Sequence, residues 1–133
     1  MLISRAILLT SFFIVLAGCS DMAESNHATI AAAKADIERG WIPPILPAST
    51  VQIRESHDLD TNIGHGTFAF GASDSEKFRA TLTVLPAGNV IRRVSIPRDQ
   101  MEHEGYTFYR HDDFYLAVDW SRRRGEFWLM YSP

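Results

Sequence analysis

Side chains able to do chemistry concentrate in residues 53–66, IRESHDLDTNIGHG, where His57, Asp58, Asp60 and His65 fall close together. Imidazole nitrogens and carboxylate oxygens are zinc ligands, and a hairpin that joined His57 to His65 would add Asp58 or Asp60 as a third. Asp58-x-Asp60-x-Asn62 also has the oxygen spacing that opens a calcium-binding EF-hand loop. The pattern then departs: Ile63 stands where that loop turns on glycine, and Ala69 where a bidentate glutamate closes the shell. A hydrolytic use would make His57 a general base oriented by Asp60, but the chain has no G-x-S-x-G elbow to present a serine. A plain turn explains the same string, because Asp and Asn side chains accept hydrogen bonds from amides two residues on. Gly64 and Gly66 then allow a bend or bulge into the next strand. His103 and His111-Asp112-Asp113 repeat the residue types without a diagnostic spacing.

A second cluster is Arg122-Arg123-Arg124, whose guanidinium groups suit phosphates of lipid head groups or other anionic partners. Asp119 and Glu126 flank it, so a solvated turn with balanced charge is the competing reading.

The elements that must position these groups follow from periodicity. Residues 28–39 place Ile30, Ala33 and Ile37 on one helical face, with Trp41 one turn on and Gly40 as a left-handed cap. WIPPILP cannot be regular structure, since Pro43, Pro44 and Pro47 lack amide donors; it is expected to pin Trp41, Ile42, Ile45 and Leu46 on the core. From Val51 the period becomes two, which predicts a hairpin around HDLDTN with Phe68 and Phe70 in its second strand. SDSEKF offers a capping box from Ser73 to Glu76 and a helix carrying Phe78, Leu82 and Leu85, unless the alternating, β-branched TLTVL ends it early or makes part of it a strand. VIRRVSI predicts a short strand and PRDQMEHE a loop. GYTFYR, DFYLAVDW and EFWLMYS predict a three-stranded meander. Its aromatic residues exceed what one sheet face can bury, so the other face is either covered or an exposed patch. The expected fold is α+β: one small domain with a twisted antiparallel sheet of about five strands packed by two helices.

The first twenty residues, MLISRAILLTSFFIVLAGCS, have the order of an export signal: Arg5, an apolar run from Ala6 to Val15, then small residues. That run is near the ~10 residues of a signal core and short of the ~20 that span a membrane. Leu16-Ala17-Gly18-Cys19 resembles the lipobox of bacterial lipoproteins, which implies lipidation of Cys19 and cleavage before it. The resemblance also implies an address: Ser20 after the cysteine points to the outer membrane, periplasmic face, rather than the inner membrane. Lipid on Cys19 uses the chain's single cysteine and leaves no thiol for disulfide, zinc or nucleophile. The organisation expected is a signal peptide 1–18, a lipidated tether 19–27 and a domain 28–133.

Cleavage leaves 115 residues, the 133 less the first 18, enough for one domain. Without Arg5, 12 basic residues face 16 acidic ones, a net charge of −4 that argues against nucleic acid as a partner. Residues 40–70, with Gly-Trp-Ile-Pro, Leu-Pro-Ala-Ser and His-Asp-Leu-Asp-Thr-Asn, resemble small bacterial exported proteins and lipoproteins. That likeness implies a shared fold nucleus and supplies no catalytic residue. The expected role is a non-enzymatic binding or accessory module of the cell envelope, held to the membrane by its lipid and meeting an envelope protein. The alternative is a metal-dependent or hydrolytic module centred on His57, Asp58, Asp60 and His65. No cofactor beyond the lipid on Cys19 is expected.

Overall fold

The computed structural model describes residues 21–89 and 95–130. The signal, the lipobox and most of VIRRVSI lie outside them. Seven antiparallel strands form one sheet: β1 (Met22–Thr29), β2 (Val51–Asp58), β3 (Ile63–Ala69), β4 (Thr83–Val84), β5 (Thr107–His111), β6 (Phe114–Asp119) and β7 (Arg124–Met130). Their spatial order is β1-β2-β3-β7-β6-β5-β4. Two meanders, β1-β2-β3 and β5-β6-β7, therefore join through their last strands.

The expected α+β fold with about five strands and two packing helices is overturned: this is a mainly β domain with three short helices. These are α1 (Lys34–Glu38), α2 (Ser75–Thr81) and α3 (Arg98–His103). The main source of the difference is β1, which occupies residues expected to be a tether and the start of a helix. Its inward-facing residues are Ala23, Ser25 and His27, too polar to show a hydrophobic alternation. Pairing with β2 from Met22–Asp58 to Thr29–Val51 carries the strand past the expected helix start. Ladder hydrogen bonds along that length outweigh the helical preference of a short alanine-rich segment.

Other expectations hold in detail. Gly40, at φ 83°, caps α1, and the Trp41 amide donates back to the Asp36 carbonyl at 2.9 Å in the closure such caps use. The proline segment lies on the sheet, with Ile42 and Leu46 in the core and Trp41 and Ile45 packed against it. The hairpin and the C-terminal meander form as expected.

Around α2 the expectations hold in part: the helix carries Phe78 and ends early, with Thr83–Val84 a strand, but the capping box does not form. Asp74 occupies the cap position, and its Oδ2 accepts from the Ser49 amide at 3.1 Å in place of a Ser73–Glu76 box. The helix ends at Thr81, and Leu85 lies on the opposite face of the sheet from Phe78 because the chain crosses at the edge strand β4. PRDQMEHE, expected as a loop, contains α3, whose Met101 is buried.

The two meanders are fastened by a reciprocal pairing. Gly66 stands opposite Phe127, and Phe68 opposite Gly125. A Cβ on Gly66 would sit 2.2 Å from Phe127 Cζ, and one on Gly125 2.4 Å from Phe68 Cζ. Each phenyl ring lies over the glycine across the seam, where a side chain would displace it. Gly66 thus serves ring packing rather than a bend; the irregularity in this hairpin lies in β2, where Gln52 has φ 53°.

Candidate functional site

Successive residues on a strand point to opposite faces, so the register assigns every side chain of the sheet to one of two surfaces. The first surface is core almost throughout: Ile53, Phe68, Phe127, Leu116, Val118 and Leu129 lie under α1, the proline segment and α2. The second changes character along single cross-strand rows. One row runs Asn26, Arg54, Thr67, Glu126, Ala117, Phe108 from β1 to β5. The next runs Glu24, Ser56, His65, Trp128, Tyr115, Arg110.

Over β5, β6 and β7 this second surface is covered by Leu85, Ile96 and Met101, which bury Phe108, Ala117 and Trp128. The aromatic surplus of the sequence is therefore consumed inside. Over β1, β2 and β3 no element of the described residues lies on it, and an open groove of about 950 Å³ remains. Its walls include Asn26, Arg54, Thr67, Tyr106, Arg124 and Glu126. A shallower depression of about 450 Å³ extends it past Ser56 and His65 and shares Asn26, Arg54 and Thr67.

Polar groups in the groove are arranged, not random. His65 Nε2 lies 2.8 Å from Glu126 Oε2, and its ring stacks on Trp128 at 5.2 Å. The Arg124 guanidinium sits 5.7 Å over the Tyr106 ring. Burial pushes the Tyr106 phenol above its ordinary value, keeping it neutral. This constellation suits hydrogen bonding and ion pairing with a ligand. Ser56 stands across the strand from His65, and no hydrogen bond joins the two side chains among the described residues.

Against the first surface, under α1, lies a second polar cluster. His57 is stacked on Trp41 with ring centroids 3.6 Å apart, and its Nδ1 meets Glu55 Oε1 at 2.7 Å. Ser25 Oγ donates to the other Glu55 oxygen at 3.2 Å. Burial raises Glu55 above its ordinary value, although the hydrogen bond and charge of His57 pull the other way. His27 Nε2 and Asp36 Oδ2 lie 2.8 Å apart and tie β1 to α1. Burial opposes ionisation of Asp36, but hydrogen bonds from His27 and Ser25, with Arg39, outweigh it and hold the carboxyl low. Ser25 Oγ meets the carboxylate of Glu55, and the His27–Asp36 contact beside it fastens α1 to the sheet.

The proposed metal residues do not converge. His57 pairs with Gly64 and His65 with Ser56, so the two imidazoles lie on opposite surfaces of the sheet. Asp58 Oδ1 accepts from the amides of Asp60 at 2.8 Å and Thr61 at 3.1 Å, closing the turn. Asp60 is exposed on it. Among the described residues no group of three or more His, Cys, Asp or Glu is placed to hold a metal.

The arginine run is split by the β6–β7 turn. Asp119, almost fully buried, accepts from Ser121 Oγ at 2.7 Å and the Arg122 amide at 3.0 Å. Burial opposes its ionisation, yet these bonds and the charges of Arg122 and Arg124 hold the carboxyl below its ordinary value. Arg122 and Arg124 approach Asp119 Oδ2 at 3.4 and 3.8 Å, while Arg123 occupies the turn at φ 51°. This turn stands at the end of the sheet opposite Met22: Arg124 pairs with Ala69 and Val51 with Thr29 there, whereas Met22 pairs with Asp58 and Met130 with Ile63 at the other end.

Residues 21–69 match the family profile of the YbbD head domain. The match is to a domain of small bacterial proteins and covers less than half of the 133-residue chain, taking in β1, α1, β2 and β3. It therefore contains the His57–Glu55 cluster and most of the open groove, and ends before the seam with β7. No curated protein and no solved structure matches the chain. No helix of the described residues is long and apolar enough to cross a membrane.

Of the groove residues, sequence reasoning singled out Arg124, as an anion contact, and His65, as a metal candidate. Arg54, Thr67 and Asn26 were visible as the polar alternates of the hairpin and tether, but nothing in the sequence says that their face stays uncovered.

Proposed function

We propose that this chain is a lipid-anchored protein of the bacterial cell envelope whose domain binds a ligand on the open face of its first meander. The observation that carries the binding reading is the abrupt end of the cover: the same face is core over β5–β7 and a polar groove over β1–β3. The lipobox at Leu16-Ala17-Gly18-Cys19 supports the anchor, with the outer membrane favoured by Ser20. Cys19 precedes β1 by three residues, so the Met22 end of the sheet would face the membrane. The arginine turn, at the far end, would then point away from the anchoring bilayer, which favours a partner in the periplasmic space over its lipid head groups. The separation of His57 from His65 supports binding over metal-dependent hydrolysis.

Two measurements test this. Intact mass of protein purified from membranes is expected to show a chain starting at Cys19 with acyl chains; an unlipidated chain overturns the anchor. Thr67→Trp fills the groove floor at a half-buried site. Material that co-purifies with the wild-type protein is expected to be lost with an unchanged melting temperature, and its full retention overturns the binding face.

A further inference from the structure

We infer that the ligand of the open face is an acidic polysaccharide, with a carboxylate of the sugar chain held between Arg54 and Arg124. The inference rests on the reading of that face as a binding surface and adds the chemistry of the ligand. Arg54 is paired with Thr67, and Arg124 with Ala69, two residues further along β3. Strand spacings of about 4.8 Å across and 3.3 Å along put their Cα atoms roughly 12 Å apart. Two arginine side chains can converge over that span, and the Thr67 and Ala69 side chains between them leave the floor low.

The two guanidinium groups differ in a useful way. Arg124 is pre-set: Asp119 lies behind its Nε at 3.8 Å and the Tyr106 ring beneath it. Arg54 is exposed and makes no ion pair among the described residues, so its charge is available to a ligand. The competing carboxylate, Glu126, is engaged by His65. Paired guanidinium donors at fixed positions select planar anions such as carboxylates.

The surroundings narrow the class. Asn26, Gln52, Ser56 and Thr67 supply neutral donors and acceptors of the kind hydroxyl groups require. The exposed large hydrophobic residues, Met22, Val51, Leu59 and Val84, are absent from the lining of the groove, and Ile53 and Phe68, which do line it, are buried. The groove continues into the second depression instead of closing, which fits a polymer.

The test is calorimetric titration of the full-length protein in detergent with tetragalacturonate, maltotetraose and inorganic phosphate. Tetragalacturonate is expected to bind, roughly tenfold more weakly to Arg54→Gln and to Arg124→Gln, and to weaken with added salt. Arg54→Gln removes no internal ion pair, so it keeps the comparison clear of unfolding. No heat with tetragalacturonate, or wild-type affinity in both variants, overturns the inference. Equal binding of maltotetraose removes the acidic requirement while leaving the binding face intact, and equal binding of phosphate alone removes the sugar.

Discussion

The second surface of the sheet is the same structural object over β1–β3 and over β5–β7, yet one half is solvated and the other is core. In the row from Asn26 to Phe108 the change falls between Glu126 and Ala117, adjacent residues on paired strands. What differs is the connection. The first meander turns back through Leu59–Asn62 and through the α1 and proline segment, both of which leave this surface bare. The second is preceded by a segment that rounds the β4 edge and lays Leu85 and Met101 over Phe108. Burial on this surface is set by where one crossover goes, so the open half can carry function at little cost to stability.

Substitutions should separate the halves. Phe108→Ala, which empties the covered half, is expected to cost about 3–5 kcal/mol in chemical denaturation. The seam between the halves should be nearly as sensitive. Gly66→Ala brings a methyl against both the Phe127 ring and the Arg54 carbonyl, at 2.5 Å, and is expected to lose about 1–3 kcal/mol. Should Gly66→Ala prove neutral, the reciprocal ring packing is not what holds the meanders together.

Acid and base should act oppositely on the two buried carboxylates. Asp119 is held below 3.8, so its contribution is present above that pH and lost as pH falls through its folded value. Glu55 is raised above 4.5, so it contributes below that pH and loses the contribution as pH rises through its folded value. Asp119→Asn is therefore expected to flatten the decline of stability in acid, and Glu55→Gln the decline above pH 4.5, both read as melting temperature against pH. The smallest effect belongs to the open half: Thr67→Ala should change stability by no more than about 0.5 kcal/mol.

The C-terminal meander was legible because Leu116–Asp119 and Phe127–Leu129 are buried on both faces, and apolar density marks a strand wherever it falls. Gly40 and the proline segment were legible because their backbone restrictions are local. β1 was not, since Ser25 and His27 are accommodated by Glu55 and Asp36, partners that only the folded sheet supplies. The metal reading of HDLDTNIGH failed for a similar reason. Four candidate ligands within nine residues look like a site until the pleat sends His57 and His65 to opposite faces. The groove was hidden most deeply, because an open face depends on where the connections among the described residues run.

Site-specific photo-crosslinking in intact cells tests the central claim most directly. A photoreactive residue at position 67, on the open face, is expected to yield a discrete adduct, and one at position 38, on the exposed side of α1, is not. Equal adducts from both positions, or none from 67, would contradict the assignment of the first meander's open face as the binding surface.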